Sequence, residues 1–330
     1  MNYRTLGRTG LPLSELSLGS WRTFGESISE ETADALMTMA YEAGINFFDN
    51  AEVYMAGESE LVMGRILKAK GWRRDNWCVS SKVFWGGDEP TRKGLFRKHV
   101  IEACHQALER LQVDYLDLYF CHRPDLNTPI VETVAAMTDL VRQGKILYWG
   151  TSEWTARDIA LAHAAATREN LVAPVMEQPQ YNLFTRKCFE VDYSRLYNEV
   201  GLGTTVWSPL SRGELVGHYL EEKNGKFVVS KQGAAWLENA GLPPGYETRV
   251  EKVADFATLA RDLGITPARL ALTWVLKNPN VTTAILGASN TSHFKENLKA
   301  IDDLALLTED VLAQIETIFF TQPMAEEAFR

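Results

Sequence analysis

Eight short apolar runs recur along this 330-residue chain, each closing in a polar loop, with amphipathic helical stretches between them. They cover residues 16–18, 46–48, 78–83, 116–120, 146–150, 175–177, 203–206 and 283–286. Strands that alternate with helices pair in parallel, because a parallel pair needs a crossover connection. Their near-continuous apolarity marks them as covered on both faces. An open doubly wound sheet and a closed barrel both satisfy that alternation. The count of eight, with no break in composition, favours the barrel: an α/β fold of TIM type, a (β/α)8 barrel over residues 1–330 as one domain.

Local signals punctuate the repeat. Residues 2–14 read as an N-terminal β-hairpin turning at Arg8-Thr9-Gly10. The stretch SEETADALMTMAYEAG places Leu36, Met37, Ala40 and Tyr41 on one helical face. Ser29 caps it, Glu30 and Glu31 suit its positive end, and Gly44 stops it. Further helices are expected over 94–111, 130–143, 155–168, 189–200 and 248–263, with a capping box at Thr155 and Asp158. Two helices stand extra to the repeat: 266–277, with Thr266 at its N-cap and Pro267 at the first position, and 308–319. Residues 208 to about 248, rich in Gly and holding Pro243-Pro244, read as a long loop after the seventh strand. The tail beyond Phe320 is expected to add little to specificity.

The net charge of −9 argues against general nucleic-acid binding and against an anionic membrane surface, while leaving room for a local basic pocket. Cys78, Cys104, Cys121 and Cys188 lack metal or redox spacing. They read as reduced thiols, and no metal is expected. The opening MNYRTLGRTG has no apolar leader core, and no apolar run approaches the ~18 residues of a membrane span. A cytoplasmic location with no membrane insertion is the expectation.

Barrel enzymes work at the C-terminal ends of their strands. There the second unit carries Asp49 and Tyr54 in FFDNAEVY, the third Lys82 in CVSSKVFWGG, and the fourth His122 in DLYFCHRPD. Taken singly, the Asp suits a turn cap, the Lys a solvated strand end and the His a loop. Their matching positions in consecutive units argue for a set. Reducing a carbonyl needs a proton donor at oxygen while hydride arrives at carbon. A Lys ammonium about 4 Å from the Tyr54 phenol supplies roughly 4 kcal/mol at an effective dielectric near 20, about three pKa units, which brings the phenol towards neutrality. In that scheme Asp49 holds Lys82 charged and His122 orients the carbonyl oxygen.

These residues resemble the aldo-keto reductases, closest to the branch containing the β subunits of voltage-gated potassium channels. RTLGRTGLPLSELSLG, WRTFG, GINFFDNAEVY, KGWRRDN, SKVFWGG, HRPD, YWGTSEW, TVWSPL and LGASNTSHFKENL carry the resemblance over nearly the whole chain. It implies a catalytic tetrad of Asp49, Tyr54, Lys82 and His122. The channel β subunits carry Asn where His122 stands, so this chain looks more like an active reductase at that position. The resemblance also implies NADP(H) bound without a Rossmann fold. In keeping with that, no G-x-G-x-x-G follows a strand; GLGTT at 201 lacks the third glycine.

By resemblance, Ser152 and Gln178 hold the nicotinamide carboxamide, Trp207 stacks on the ring, and Trp21 and Asp49 border it. Ser208, Pro209 and Leu210 meet the phosphates, and Ser289, His293, Glu296 and Asn297 grip the adenosine end. Physically, the backbone at Ser289 and Asn290 opens a helix whose N-terminus favours phosphate. Trp207 also suits a core position, and Glu296 and Asn297 a solvated helix face. The channel β subunits have Arg where Glu153 stands, and Lys and Arg near His218 and Val228. Here the neighbouring cations are Arg212, Lys226, Lys231 and Lys295, so NAD(H) stays open beside NADP(H). Trp21, Tyr54, Phe84, Trp85 and His122, with Trp154, form an aromatic pocket suited to an apolar or aromatic aldehyde or ketone, with no cation for a substrate carboxylate.

The resemblance implies a ring homotetramer. Two other functions compete with the reductase. One is a regulatory subunit of a membrane channel or transporter that senses redox state through NADP(H). The other is a lyase using Lys82 as a Schiff-base amine, disfavoured because Asp49 keeps that amine protonated.

Overall fold

Leu6 and Leu13 meet Phe47, Cys78, Leu118, Phe120, Met176 and Ile285 in one apolar cluster. Their immediate neighbours Phe48, Val79, Tyr119, Cys121 and Leu286 belong to a second, larger one. Side chains along a strand alternate faces, so the first cluster is the inside of the sheet and the second the layer beneath the helices. The computed structural model describes residues 1–239 and 246–324. Pro243-Pro244 lies outside the described residues.

A hairpin of β1 (Tyr3–Thr5) and β2 (Pro12–Ser14) pairs Tyr3 with Ser14, as the turn residues predict. The parallel strands are β3 (Leu16–Gly19), β4 (Phe47–Asp49), β5 (Cys78–Val83), β6 (Leu116–Cys121), β7 (Ile146–Ser152), β8 (Met176–Gln178) and β9 (Gly203–Val206). After a two-stranded ribbon of β10 (Leu220–Lys223) and β11 (Lys226–Val229), β12 (Thr283–Leu286) completes the set. The eight parallel strands close into a barrel in the order β12-β3-β4-β5-β6-β7-β8-β9. All six residues of β5 and all six of β6 are buried, as strands covered on both faces must be. Leu6 and Leu13 bring the hairpin under one end of the barrel. The other end, where the strands run out, is left open.

The ring helices are α1 (Glu30–Glu42), α2 (Glu58–Lys70), α3 (Arg97–Leu111), α4 (Ile130–Arg142), α5 (Ala156–Arg168) and α6 (Ser194–Glu199). A π-helical turn over Cys188–Asp192 precedes α6, where the sequence predicts one continuous helix. Beyond the ribbon come α7 (Lys231–Asn239), α8 (Tyr246–Asp262), α9 (Pro267–Lys277), α10 (Thr291–Leu298) and α11 (Glu309–Phe319). The caps fall where expected. Ser29 accepts from the Thr32 N–H, Thr155 from Asp158 and Thr266 from Arg269, and Asn290 accepts from His293. Gly44 ends α1 at φ +87°.

Two features differ from the sequence reading. Helix α9, expected outside the repeat, packs directly on β12 and α10 and serves as a ring helix; α8 packs on β11, α9 and α11. The segment after β9 is not one irregular loop. It carries a 3₁₀ turn at Ser211–Val216, the ribbon and α7, because the run 220–229 pairs with itself across Asn224-Gly225.

Gly64 lets α2 and α3 pack at close range: a Cβ there would lie 2.3 Å from the Arg110 carbonyl oxygen and 2.8 Å from the Leu111 Cα. Backbone cannot yield as a side chain does. Gly64→Ala is therefore expected to lower stability by about 1–3 kcal/mol in urea unfolding, despite alanine's better helix propensity.

Candidate active site

At Asp49, β4 ends and the chain folds back at once. Ala51 donates its N–H to Asn50 Oδ1 at 2.9 Å, and Tyr54 opens a short 3₁₀ turn, Tyr54–Gly57. Inside that turn Met55 and Ala56 adopt left-handed φ of 50° and 52°, a conformation costly for residues with a Cβ. The tight return holds the Tyr54 phenol beside the strand ends. Period-2 alternation along β5 turns Lys82 and Ser80 to the same inner face as Cys78.

Lys82 is fully buried, and each of its three N–H groups has an acceptor. Asp49 Oδ2 lies at 2.6 Å, the Asn50 carbonyl at 2.8 Å and the Tyr54 oxygen at 3.1 Å. The other carboxylate oxygen, Asp49 Oδ1, accepts from Ser80 Oγ at 2.8 Å and from Gln178 Nε2 at 3.1 Å. Because Lys82 donates to the phenol oxygen, the phenol's own hydrogen is free to point elsewhere.

Burial pulls the Lys82 pKa down, while the Asp49 charge and hydrogen bond oppose it. Burial, reinforced by Asp49, pushes the Tyr54 phenol well above its ordinary range. That corrects the sequence argument, in which Lys82 brought the phenol towards neutrality. A phenolate here loses its hydration, and the Asp49 carboxylate offsets the field of the ammonium it holds. The phenol keeps its proton.

His122 follows β6 directly, its N–H donating to the Val83 carbonyl at 3.0 Å. Its ring meets Tyr54 edge-on at 5.9 Å and Trp85 at 5.1 Å between centroids. Burial, then Lys82 and Arg123, hold its pKa well below the usual value, so the ring is neutral. Among the described residues Nδ1 is buried with no hydrogen-bond partner. A buried unpaired N–H costs more than an unpaired lone pair, which places the single ring proton on Nε2.

A cavity of about 710 Å³ opens above these groups. Asp49, Tyr54 and His122 line it, and Lys82 sits directly behind them. All the residues named for a cofactor line it as well: Trp21, Ser152, Gln178, Trp207, Ser208, Pro209 and Leu210 on the strand ends and loops, Ser289 before α10, and His293, Glu296 and Asn297 on α10. Of the aromatic set, Trp21, Tyr54 and Trp85 line the cavity. Phe84 packs behind Trp85, with ring centroids 4.8 Å apart, and is not part of the lining. Trp154 is buried and borders a separate pocket of about 290 Å³ with Thr155, Arg157 and Tyr193.

Three arginines line the cavity without an ion pair to a carboxylate among the described residues: Arg22, Arg123 and Arg212. The lining carboxylates are already matched, Asp49 by Lys82 and Glu296 by Arg269 at 3.1 Å and Lys299 at 2.7 Å. In a chain of net charge −9 the uncompensated charge of this cavity is positive. Of the cations anticipated, only Arg212 reaches it; Lys226, Lys231 and Lys295 are exposed and outside the lining. Arg22 lies over the Trp21 ring at 5.6 Å and Arg123 over Trp85 at 5.4 Å, so the aromatic end does carry cations, contrary to the sequence reading.

Sequence reasoning also missed Ser80, Arg123 and the contact of Glu153 with Trp207, Glu153 entering it only as a departure from the channel β subunits. Ser80 was findable, two residues before Lys82 on the same face. Arg123 stands in the quoted HRPD, whereas nothing local marks Glu153, whose Oε1 accepts from the Trp207 indole at 2.8 Å.

The model of the aldo/keto reductase family matches residues 15–319. Two similar proteins align over all of this chain and all of their own length. A "Probable voltage-gated potassium channel subunit beta" of Oryza sativa subsp. japonica is 43% identical, and one of the same description from Arabidopsis thaliana is 42% identical. Among the described residues no helix is long and apolar enough to cross a membrane.

Proposed function

This chain belongs to the aldo/keto reductase family, and from that premise we propose that it is an NADP(H)-dependent reductase of aldehydes or ketones, with Tyr54 the proton donor. The observation that carries the reading is the Lys82 ammonium, bonded at once to Asp49 and to Tyr54 on the wall of a positively charged cavity. A volume of about 710 Å³ falls within the range of about 300–1,000 Å³ typical of small-molecule and cofactor sites. Unpaired arginines and the N-terminus of α10 suit a phosphorylated dinucleotide.

The residues that would hold it are Ser152 and Gln178 at the carboxamide, Trp207 and Trp21 at the ring, Ser208, Pro209 and Leu210 at the phosphates, and Ser289, His293, Glu296 and Asn297 at the adenosine. When bound, the dinucleotide supplies hydride to the carbonyl carbon. The protein's part is to manage the oxygen. Nε2–H of His122 donates to it and sets its direction, and the Tyr54 hydroxyl gives up its proton as negative charge develops there. Lys82 stabilises the phenolate left behind, and Asp49 keeps Lys82 in place. Trp21, Trp85 and Tyr54 favour an aromatic carbonyl substrate.

The pKa directions set a pH dependence. The phenol's raised pKa keeps its proton in place throughout the neutral range, and His122 stays neutral. Reduction is therefore expected to be nearly flat from about pH 6 to about pH 8. Alcohol oxidation needs the deprotonated phenol and should climb steadily as pH rises. A reduction rate that falls on a midpoint near 6.5 would mean that a protonated His122 is required.

The direct test is a thermal-shift comparison of NADPH and NADH, followed by NADPH consumption with a panel of aromatic aldehydes. Ligand at 100 times its dissociation constant stabilises a fold by about 2.7 kcal/mol, which such an assay resolves. No stabilisation and no turnover across the panel would sink the proposal. The names of the two relatives favour a second reading, a redox-sensing subunit that binds NADP(H) and regulates a membrane partner. His122 beside Tyr54 argues for turnover instead. A homotetramer and a cytoplasmic location are proposed with either reading, the first to be measured by sedimentation.

A further inference from the structure

Glu153 adopts a left-handed backbone at φ +57°, uncommon for a residue with a Cβ. That turn aims its carboxylate along the top of the barrel. Oε1 accepts two hydrogen bonds, from the Gln180 backbone N–H at 2.6 Å and from the Trp207 indole Nε1–H at 2.8 Å. The Trp207 backbone is tied to the same neighbours: its N–H donates to the Pro179 carbonyl, and its carbonyl accepts from Tyr181. On the far side the indole meets Trp21 edge-on at 5.9 Å. The plane of the Trp207 ring, which lines the cavity, is thus set from one side by a charged acceptor and from the other by an aromatic edge.

We propose that Glu153 is a positioning residue: its carboxylate fixes the Trp207 indole in the orientation that receives the nicotinamide ring. This rests on the reductase reading above, in which Trp207 stacks on that ring. Glu153 itself is absent from the cavity lining and acts only through the indole. A two-ring side chain on a loop has several rotamers open to it. Losing the acceptor frees them, and binding then has to select one.

The experiment uses the full-length protein and two substitutions, Glu153→Ala and Glu153→Gln. The glutamine keeps an acceptor oxygen; the alanine removes it. The first readout needs no cofactor: the indole N–H resonance of Trp207 in a ¹⁵N-labelled sample, assigned by its loss in Trp207→Phe. It should move in Glu153→Ala and stay near its native position in Glu153→Gln. The second is NADPH affinity by fluorescence titration, expected to fall about tenfold in Glu153→Ala and within about twofold of native in Glu153→Gln. In the Trp207→Phe background Glu153→Ala should cost nothing further, because the group it positions is gone.

Native-like NADPH affinity in Glu153→Ala would overturn the inference whatever the indole does, and so would additive losses in the double variant. Either result leaves the reductase reading intact. Failure of the native protein to bind either nicotinamide dinucleotide would remove that reading and this inference together.

Discussion

Tyr54→Phe is expected to lower kcat for carbonyl reduction by about 10²–10⁴-fold while leaving NADPH affinity and the melting temperature near native values. Among the described residues the phenol hydroxyl takes one hydrogen bond, from Lys82 at 3.1 Å, and its own hydrogen has no acceptor. Its loss therefore removes a donor without opening a cavity. Lys82 keeps its two other acceptors, Asp49 and the Asn50 carbonyl, so the ion pair survives. Single-turnover kinetics with a saturating aromatic aldehyde separates the outcomes. A Phe variant within about tenfold of native would assign the proton to another group, with His122 the first to suspect.

The second large effect is on stability. Lys82→Met leaves the Asp49 carboxylate buried, with Ser80 and Gln178 the only donors to it among the described residues. Removing one partner of a buried pair costs about 3–5 kcal/mol, because the remaining charge is neither paired nor hydrated. The double variant Asp49→Asn/Lys82→Met removes both charges and should recover a substantial part of that loss. Urea unfolding of the two single variants and the double one reads the coupling. Loss of less than about 1 kcal/mol in Lys82→Met would mean that water reaches Asp49 and that the site is wetter than its packing implies. Turnover should fail in Lys82→Met and in the double variant, since the phenolate that forms there has no ammonium beside it.

The strands and most helix ends were legible because their signals are local. Ser29, Thr155 and Thr266 sit three residues before the N–H they cap, and β5 and β6 are strand-length runs in which apolar residues predominate or flank a few polar ones. The candidate site was partly legible for the same reason. Asp49 and Tyr54 are five residues apart, and Lys82 and His122 close the next two units at the same rim. The misses came from the loops. Phe84 and Trp85 are adjacent and aromatic, and only the turn after β5 decides that one faces the cavity and the other packs behind it. Trp154 follows Ser152 by two positions, yet the left-handed Glu153 between them breaks the strand alternation and sends the indole into the core.

The sequence by itself determined that eight strands and their helices would form, and that a carboxylate, a phenol, an amine and an imidazole would arrive at one rim. Those are short-range matters of periodicity, capping and strand ends. Only the tertiary structure decided how the groups act on one another. Gln178 reaches Asp49 from 129 residues away, and Glu153 reaches Trp207 from 54. The first contact exists because the barrel closes, the second because β7, β8 and β9 pair side by side. The direction of the Tyr54 pKa was decided there too. Desolvation depends on everything packed around a group, whereas sequence spacing reveals only which charge is near, so a neighbouring ammonium was visible and the burial that outweighs it was not.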